Sequence, residues 1–175
     1  YENDVLSLCY KKYMISKSDI IYGNINILDK TDDLVFNRSE QADHRFLKKR
    51  MSIFHPATFI SKSCYSKNGL YNIKYKVAAD YDLLLRNLKR EVKFEYISLP
   101  IATFRSGGVS GKTMKYLGEL FDIWKTNLGF SRAMRNTFLR LINFLYYFTR
   151  KKIVVFIIGN KNYNKLKKNK YQLND

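Results

Sequence analysis

Asp80 and Asp82 stand in the first turn of a segment, residues 80–90, that reads as a helix, with Lys89 and Arg90 in its last turn. Each charge sits where it favours the helix dipole. An aspartate so placed can serve simply as a cap. Asp80-Tyr81-Asp82 also has the spacing with which two carboxylates hold a divalent cation against a diphosphate. Because the pair opens an apparent helix, it is not assigned that role, and Asp82 is expected to pair with Arg86 one turn on. His55 carries an imidazole that can donate and accept hydrogen bonds near neutral pH; the plainer reading is a half-buried histidine at a strand edge. Arg105 precedes Ser106, Gly107, Gly108, Val109 and Ser110. A guanidinium suits phosphate, and glycines let a backbone approach and move; the plainer reading is a turn after a strand. Cys9 and Cys64 lie far apart, which excludes a disulfide scaffold and an all-cysteine metal site.

The elements that must position these groups alternate between helix and strand. Residues 4–15 place Val5, Leu8, Cys9 and Tyr13 near helical spacing. Residues 19–27 are rich in β-branched side chains and alternate after Gly23, which predicts a strand. Residues 28–50 read as a polar connecting excursion with room for one helical turn. Pro56 lacks an amide donor, so a short strand is expected only after it, at residues 58–61. Lys67-Asn68-Gly69 signals a turn. Two short strands, residues 94–98 and 101–104, flank Pro100. An amphipathic helix is expected over residues 114–127 and a longer one over residues 131–150, followed by an apolar run at 153–158 and a Lys/Asn-rich tail. The chain shows no internal repeat.

A length of 175 residues suffices for one domain with a real core. Hydrophobic residues make up 46% and aromatics 15%, so wholesale disorder is excluded. Two Pro and eight Gly exclude collagen-like and Pro-rich classes. The net charge of +17 fits nucleic acid, an anionic membrane surface or an anionic small substrate. Its distribution helps to choose. Residues 1–130 carry 21 basic and 14 acidic residues, whereas residues 131–175 carry 11 basic and one acidic. The excess lies in one tail, and no RNP, zinc or helix-turn-helix pattern accompanies it, so nucleic acid is not the expected partner.

Three segments, in order and spacing, resemble the C-terminal half of a family 2 glycosyltransferase with the GT-A fold, of the bacterial type that builds polysaccharides and cell-surface glycans. They are Asp19-Ile20-Ile21-Tyr22-Gly23-Asn24, then Phe54-His55-Pro56-Ala57-Thr58-Phe59-Ile60, then residues 67–110. The last contains Asn68-Gly69-Leu70-Tyr71-Asn72, Ala79-Asp80-Tyr81-Asp82-Leu83-Leu84-Leu85-Arg86 and Phe104-Arg105-Ser106-Gly107-Gly108-Val109-Ser110. The likeness covers roughly residues 1–112.

The resemblance implies an α/β, Rossmann-like fold with a mixed sheet, followed by C-terminal helices. It implies inverting transfer of a sugar from a nucleotide-diphosphate donor to an acceptor hydroxyl. Such a hydroxyl must lose its proton as it attacks, so a positioned carboxylate is needed. Asp80 occupies the position of the family's general base, although Ala79 replaces the glutamate that often precedes it. His55 falls on the acceptor or leaving-group side, and Arg105 with residues 106–110 on the loop that covers the donor diphosphate. Tyr22-Gly23-Asn24 matches a Tyr-Gly-Asp with Asn for Asp and reads as a sheet position.

The family's nucleotide-binding half, with its strand-borne D-x-D and its Mg or Mn ion, has no counterpart in these residues. Residues 1–112 are therefore expected to be an acceptor-side half that binds a nucleotide sugar only weakly alone. Residues 113–158 form a helical extension and residues 159–175 a basic flexible tail. Within 131–158 the longest charge-free run, residues 141–149, is well short of the ~20 residues that span a bilayer. An in-plane helix against anionic headgroups fits it, and a helix packed on the domain with solvated arginines is the alternative. The expected partners are a nucleotide-sugar donor, a glycan or polyprenol-linked acceptor and a membrane surface, placing the protein in the cytoplasm on the inner face of the membrane. The competing function is a non-catalytic basic protein of membrane surfaces or nucleic acid.

Overall fold

The structure, a computed structural model, describes residues 4–28, 34–37, 42–105 and 114–172. Among these, four strands form one mixed sheet around β1 (Ile20–Leu28). Two others pair with β1 antiparallel: β2 (Leu34–Asn37) along its last residues and β3 (Thr58–Ile60) along its first. The fourth, β4 (Phe94–Arg105), runs parallel to β1 over its whole length. A strand has two edges, so β2 and β3 share one side of β1 and β4 takes the other.

Alternation along β1 sends side chains to two apolar clusters, as period-2 geometry requires. Ile21 and Ile25 join Ile97, Ile101 and Ala102 beneath α1 (Val5–Ser16), which buries Val5 and Cys9 there. The other expected contacts of that helix, Leu8 and Tyr13, remain exposed. Ile20 and Tyr22 face the larger cluster, built with Leu84, Leu85, Leu120, Ile123 and Trp124. Those residues come from α3 (Ala79–Lys89) and α4 (Met114–Leu128). The sheet is thus covered by helices on both faces.

Gly23 is required by close approach. A Cβ there would stand 2.6 Å from Ile101 Cδ1 and 2.9 Å from the Ile97 carbonyl oxygen. Across from it, the two strands expected around Pro100 are one. The register passes from Gly23–Ile97 to Asn24–Pro100 and then to Ile25–Ala102, so β4 bulges and carries the proline without breaking. Pro100 keeps its place opposite Asn24, and the residues the register skips are Ser98, Leu99 and Ile101 on either side of it.

Further elements depart from expectation. The polar excursion contains a strand, β2, besides the helical turn it had room for, the 3₁₀ segment His44–Lys48, whose cap Asp43 accepts from the Arg45 amide. The residues read as a turn at 67–69 end a short helix, α2 (Lys62–Asn68). Ser61 caps its start by accepting from the Cys64 amide, and Gly69, at φ 84°, ends it. Finally, α5 (Phe130–Gln172) takes in both the helix expected at 131–150 and the apolar run after it. Gly159, at φ 77° and ψ 158°, interrupts it, and the polar residues beyond are again helical. No helix among the described residues is long and apolar enough to cross a membrane.

Candidate functional site

The N-terminus of α3 is assembled from a distant helix. Its N-cap residue is Ala78, which has no side chain to offer the orphan amides. Glu119 of α4 instead anchors the N-cap residue and the two before it: Oε1 accepts from the Lys76 amide at 3.0 Å, and Oε2 from the amides of Val77 and Ala78, each at 2.9 Å. One turn on, Asp122 accepts from Lys74 Nζ at 2.7 Å and from the Tyr75 hydroxyl at 2.8 Å. These two donors hold the Asp122 carboxyl below its usual range. Two carboxylates of α4 therefore clamp the backbone that leads into Asp80.

Behind the site, the Tyr81 hydroxyl donates to the Leu47 carbonyl at 2.5 Å and accepts from Trp124 Nε1 at 2.7 Å. Both rings are buried. Asp82 points into the core, 2% exposed. It accepts from Arg86 Nε at 2.8 Å and from Asn127 Nδ2 at 3.2 Å. The same guanidinium donates to the carbonyls of Asn68 and Leu70, tying the end of α2 to α3. Asp82 is thus structural, as its spacing from Arg86 predicted.

The half-buried Asp80 caps one first-turn amide of α3, that of Tyr81, and lies near a small group of polar rings. Burial pushes its carboxyl above the ordinary carboxylate value; the Tyr81 amide, which donates to Oδ1 at 2.8 Å, and the nearby His55 partly offset this. His55 opens a 3₁₀ turn, His55–Ala57, ahead of β3. It is exposed rather than half-buried, and its Nε2 lies 2.8 Å from the Tyr71 hydroxyl. The Tyr65 hydroxyl donates to that of Tyr71 at 3.5 Å. Burial, then Tyr65, then the Asp80 charge push the Tyr71 phenol above its ordinary value. On the other side stands Tyr116 of α4, raised by burial and by Asp80 and lowered by Arg140. The Arg140 guanidinium of α5 lies 5.2 Å from the centroid of the Tyr116 ring.

The structure thus brings together two of the residues singled out in the sequence, Asp80 and His55, with Tyr71 and Tyr116 near them and Arg140 behind the Tyr116 ring, three residues that sequence reasoning missed. No local signal marks these three: Tyr71 lies in an irregular stretch, and the others belong to helices that follow far along the chain. Arg105 ends β4 opposite Leu28, six residues along β1 from the Tyr22–Thr58 pairing. At ~3.3 Å per residue that is about 20 Å of strand, and β4 lies on the opposite side of β1 from β3. Residues 106–110, expected to cover a donor, lie outside the described residues.

A divalent ion does not fit what is described. Asp82 is committed to Arg86 and Asn127, so Asp80-Tyr81-Asp82 cannot present two carboxylates to one cation. Among the described residues no group of three or more His, Cys, Asp or Glu could hold a metal. Comparison with known proteins leaves the geometry to speak alone: no protein-family model matches the chain, and no curated protein does.

Proposed function

We propose that this chain is the acceptor-side half of an inverting glycosyltransferase of family 2, with the GT-A fold, and that Asp80 is its general base. The observation that carries the reading is the state of Asp80: a half-buried carboxyl with a raised pKa, set near the His55–Tyr71 pair at the start of a helix whose entering backbone Glu119 anchors. A base works best when its pKa lies near the operating pH, and burial moves a carboxylate that way. The mixed α/β sheet with helices on both faces is compatible with such a domain.

In this reading the acceptor hydroxyl lies against Asp80. The carboxylate takes its proton as the oxygen attacks the anomeric carbon. The bond from that carbon to the diphosphate oxygen breaks on the opposite face, the diphosphate leaves with the electron pair, and the centre inverts. His55 and Tyr71 orient acceptor hydroxyls; Arg105, opposite the far end of β1, takes no part in this step. The donor's nucleotide and any Mg or Mn ion belong to a nucleotide-binding half outside the described residues, and no step here passes through a metal.

The test is release of nucleoside diphosphate from UDP-, GDP- and dTDP-sugars by the chain joined to such a half. Asp80→Asn lowers kcat by about 10²–10⁴-fold with donor affinity unchanged. Equal turnover of the two proteins overturns the assignment.

A cytoplasmic, membrane-peripheral setting belongs to the same proposal. Met134, Phe138, Leu141, Leu145 and Phe148 recur at three- and four-residue intervals along α5, and all are exposed. Such a stripe, in a region carrying 11 basic residues and one acidic, suits the surface of an anionic bilayer. Flotation with phosphatidylglycerol vesicles that survives Phe138→Asp/Leu145→Asp argues against it.

A further inference from the structure

Arg140 has a second neighbourhood. On the face of α5 away from the apolar stripe, a groove of about 510 Å³ runs between this helix and the turn that follows the 3₁₀ segment. Its walls bring together Lys49 and Arg50 from the turn with Arg135 and Arg140 from α5, and Trp124 and Asn143 also line it. None of the described residues lining it is acidic, and none of the four cations is in an ion pair among the described residues. The groove is held open by structure. Asn136 of α5 donates to the Lys48 carbonyl at 3.0 Å, which fixes the helix against the turn. Arg50 lies 5.7 Å from the Phe46 ring and Arg140 5.2 Å from that of Tyr116, so two of the guanidiniums are steadied on aromatic faces.

Four like charges around one concavity repel one another, and the field inside favours an anion that bridges them. Guanidinium is the side chain best matched to phosphate, because its paired N–H groups meet two oxygens. The volume exceeds what one phosphate needs and admits two linked ones. We propose that this groove is a binding site for a phosphate-bearing anion, of the diphosphate class, contacted by Lys49, Arg50, Arg135 and Arg140. The site stands whether or not Asp80 is a general base, since it rests on the walls of the groove alone. Two carriers share this chemistry: a soluble diphosphate and the headgroup of an anionic lipid.

The experiment uses the full chain. Its melting temperature is followed at constant ionic strength with inorganic pyrophosphate, and in parallel the emission of Trp124, the chain's one tryptophan, which borders the groove. At a hundredfold excess over Kd, pyrophosphate raises Tm by about 5–10 °C. Arg50→Gln/Arg135→Gln, two exposed positions, abolishes most of the rise, while Arg150→Gln/Lys152→Gln, further along α5, leaves it intact. Flotation on vesicles containing phosphatidic acid identifies the carrier. Binding lost in Arg50→Gln/Arg135→Gln assigns a lipid headgroup; a pyrophosphate response without such flotation assigns a soluble anion. The proposal is overturned if pyrophosphate raises Tm no more than chloride does, or raises it equally in the wild type and Arg50→Gln/Arg135→Gln.

Discussion

Glu119→Gln isolates the link by which α4 builds the start of α3. In the wild type, one carboxylate oxygen serves the Lys76 amide at 3.0 Å and the other serves both Val77 and Ala78 at 2.9 Å. Glutamine keeps a single acceptor oxygen. Set toward Val77 and Ala78, it retains two bonds without their charge and turns an NH₂ against the Lys76 amide. A hydrogen bond to a charged acceptor contributes about 1.5–3 kcal/mol and a neutral one about 0.5–1.5. Two bonds weakened by about 1 kcal/mol each, and one lost at about 1.5, give a loss of about 3–4 kcal/mol. Lys76 is exposed, so water takes up its amide and no further desolvation cost is added. Urea unfolding read by Trp124, buried on the same helix, follows the change directly. For a slope of about 2 kcal/mol/M, the midpoint falls by about 1.5–2 M with the slope unchanged. Glu95→Gln provides the contrast, since its partner Lys12, at 2.9 Å, makes a pair open to solvent, and its loss costs about 1 kcal/mol at most. A midpoint for Glu119→Gln no lower than that of Glu95→Gln would refute the clamp.

Three further outcomes follow from the same geometry. Asp80 titrates above its ordinary value of 3.8. Between that value and its raised one, the folded protein keeps a proton that the unfolded chain has released, so stability falls as pH rises through this window. Asp80→Asn removes this contribution to the slope while keeping an acceptor for the Tyr81 amide, and it melts higher than wild type at pH 7; calorimetry showing a lower Tm there would contradict the raised pKa. Gly23→Ala forces a methyl against Ile101 and costs about 1–3 kcal/mol. Ile101→Val recovers part of that in a double-mutant cycle, and additivity of the two changes would contradict the contact. Arg86→Met leaves the Asp82 carboxylate buried without its cation and costs about 3–5 kcal/mol; Asp82→Asn/Arg86→Met is milder, and a double variant as unstable as the single would speak against the pair.

What was legible along the chain is what repeats locally. The alternation after Gly23 marks β1, the acidic start and basic end mark α3, and the four-residue spacing marks Asp82–Arg86, because each depends on neighbours within about one turn or one pleat. Asp80 and His55 could be singled out by type and by resemblance. Their juxtaposition could not be read, and neither could Tyr71, Tyr116 or Arg140 beside them. The short strand β2, Leu34-Val35-Phe36-Asn37, lies unmarked inside a stretch that reads as polar, and α2 showed only its closing glycine, since elements of four and seven residues are too short for periodicity to declare.

The sequence by itself determined the types of the longer periodic elements, such as β1 and α3, the split of charge between body and tail, and the candidate carboxylate. Tertiary structure decided that β4 crosses Pro100 as one bulged strand, that a glutamate some forty residues away anchors the backbone entering α3, and that Lys49 and Arg50 face Arg135 and Arg140 across one groove. These depend on which distant backbone amides and charges packing brings within a few ångströms. A hydrogen bond or a Coulomb term is set by that distance, and no local pattern along the chain encodes it.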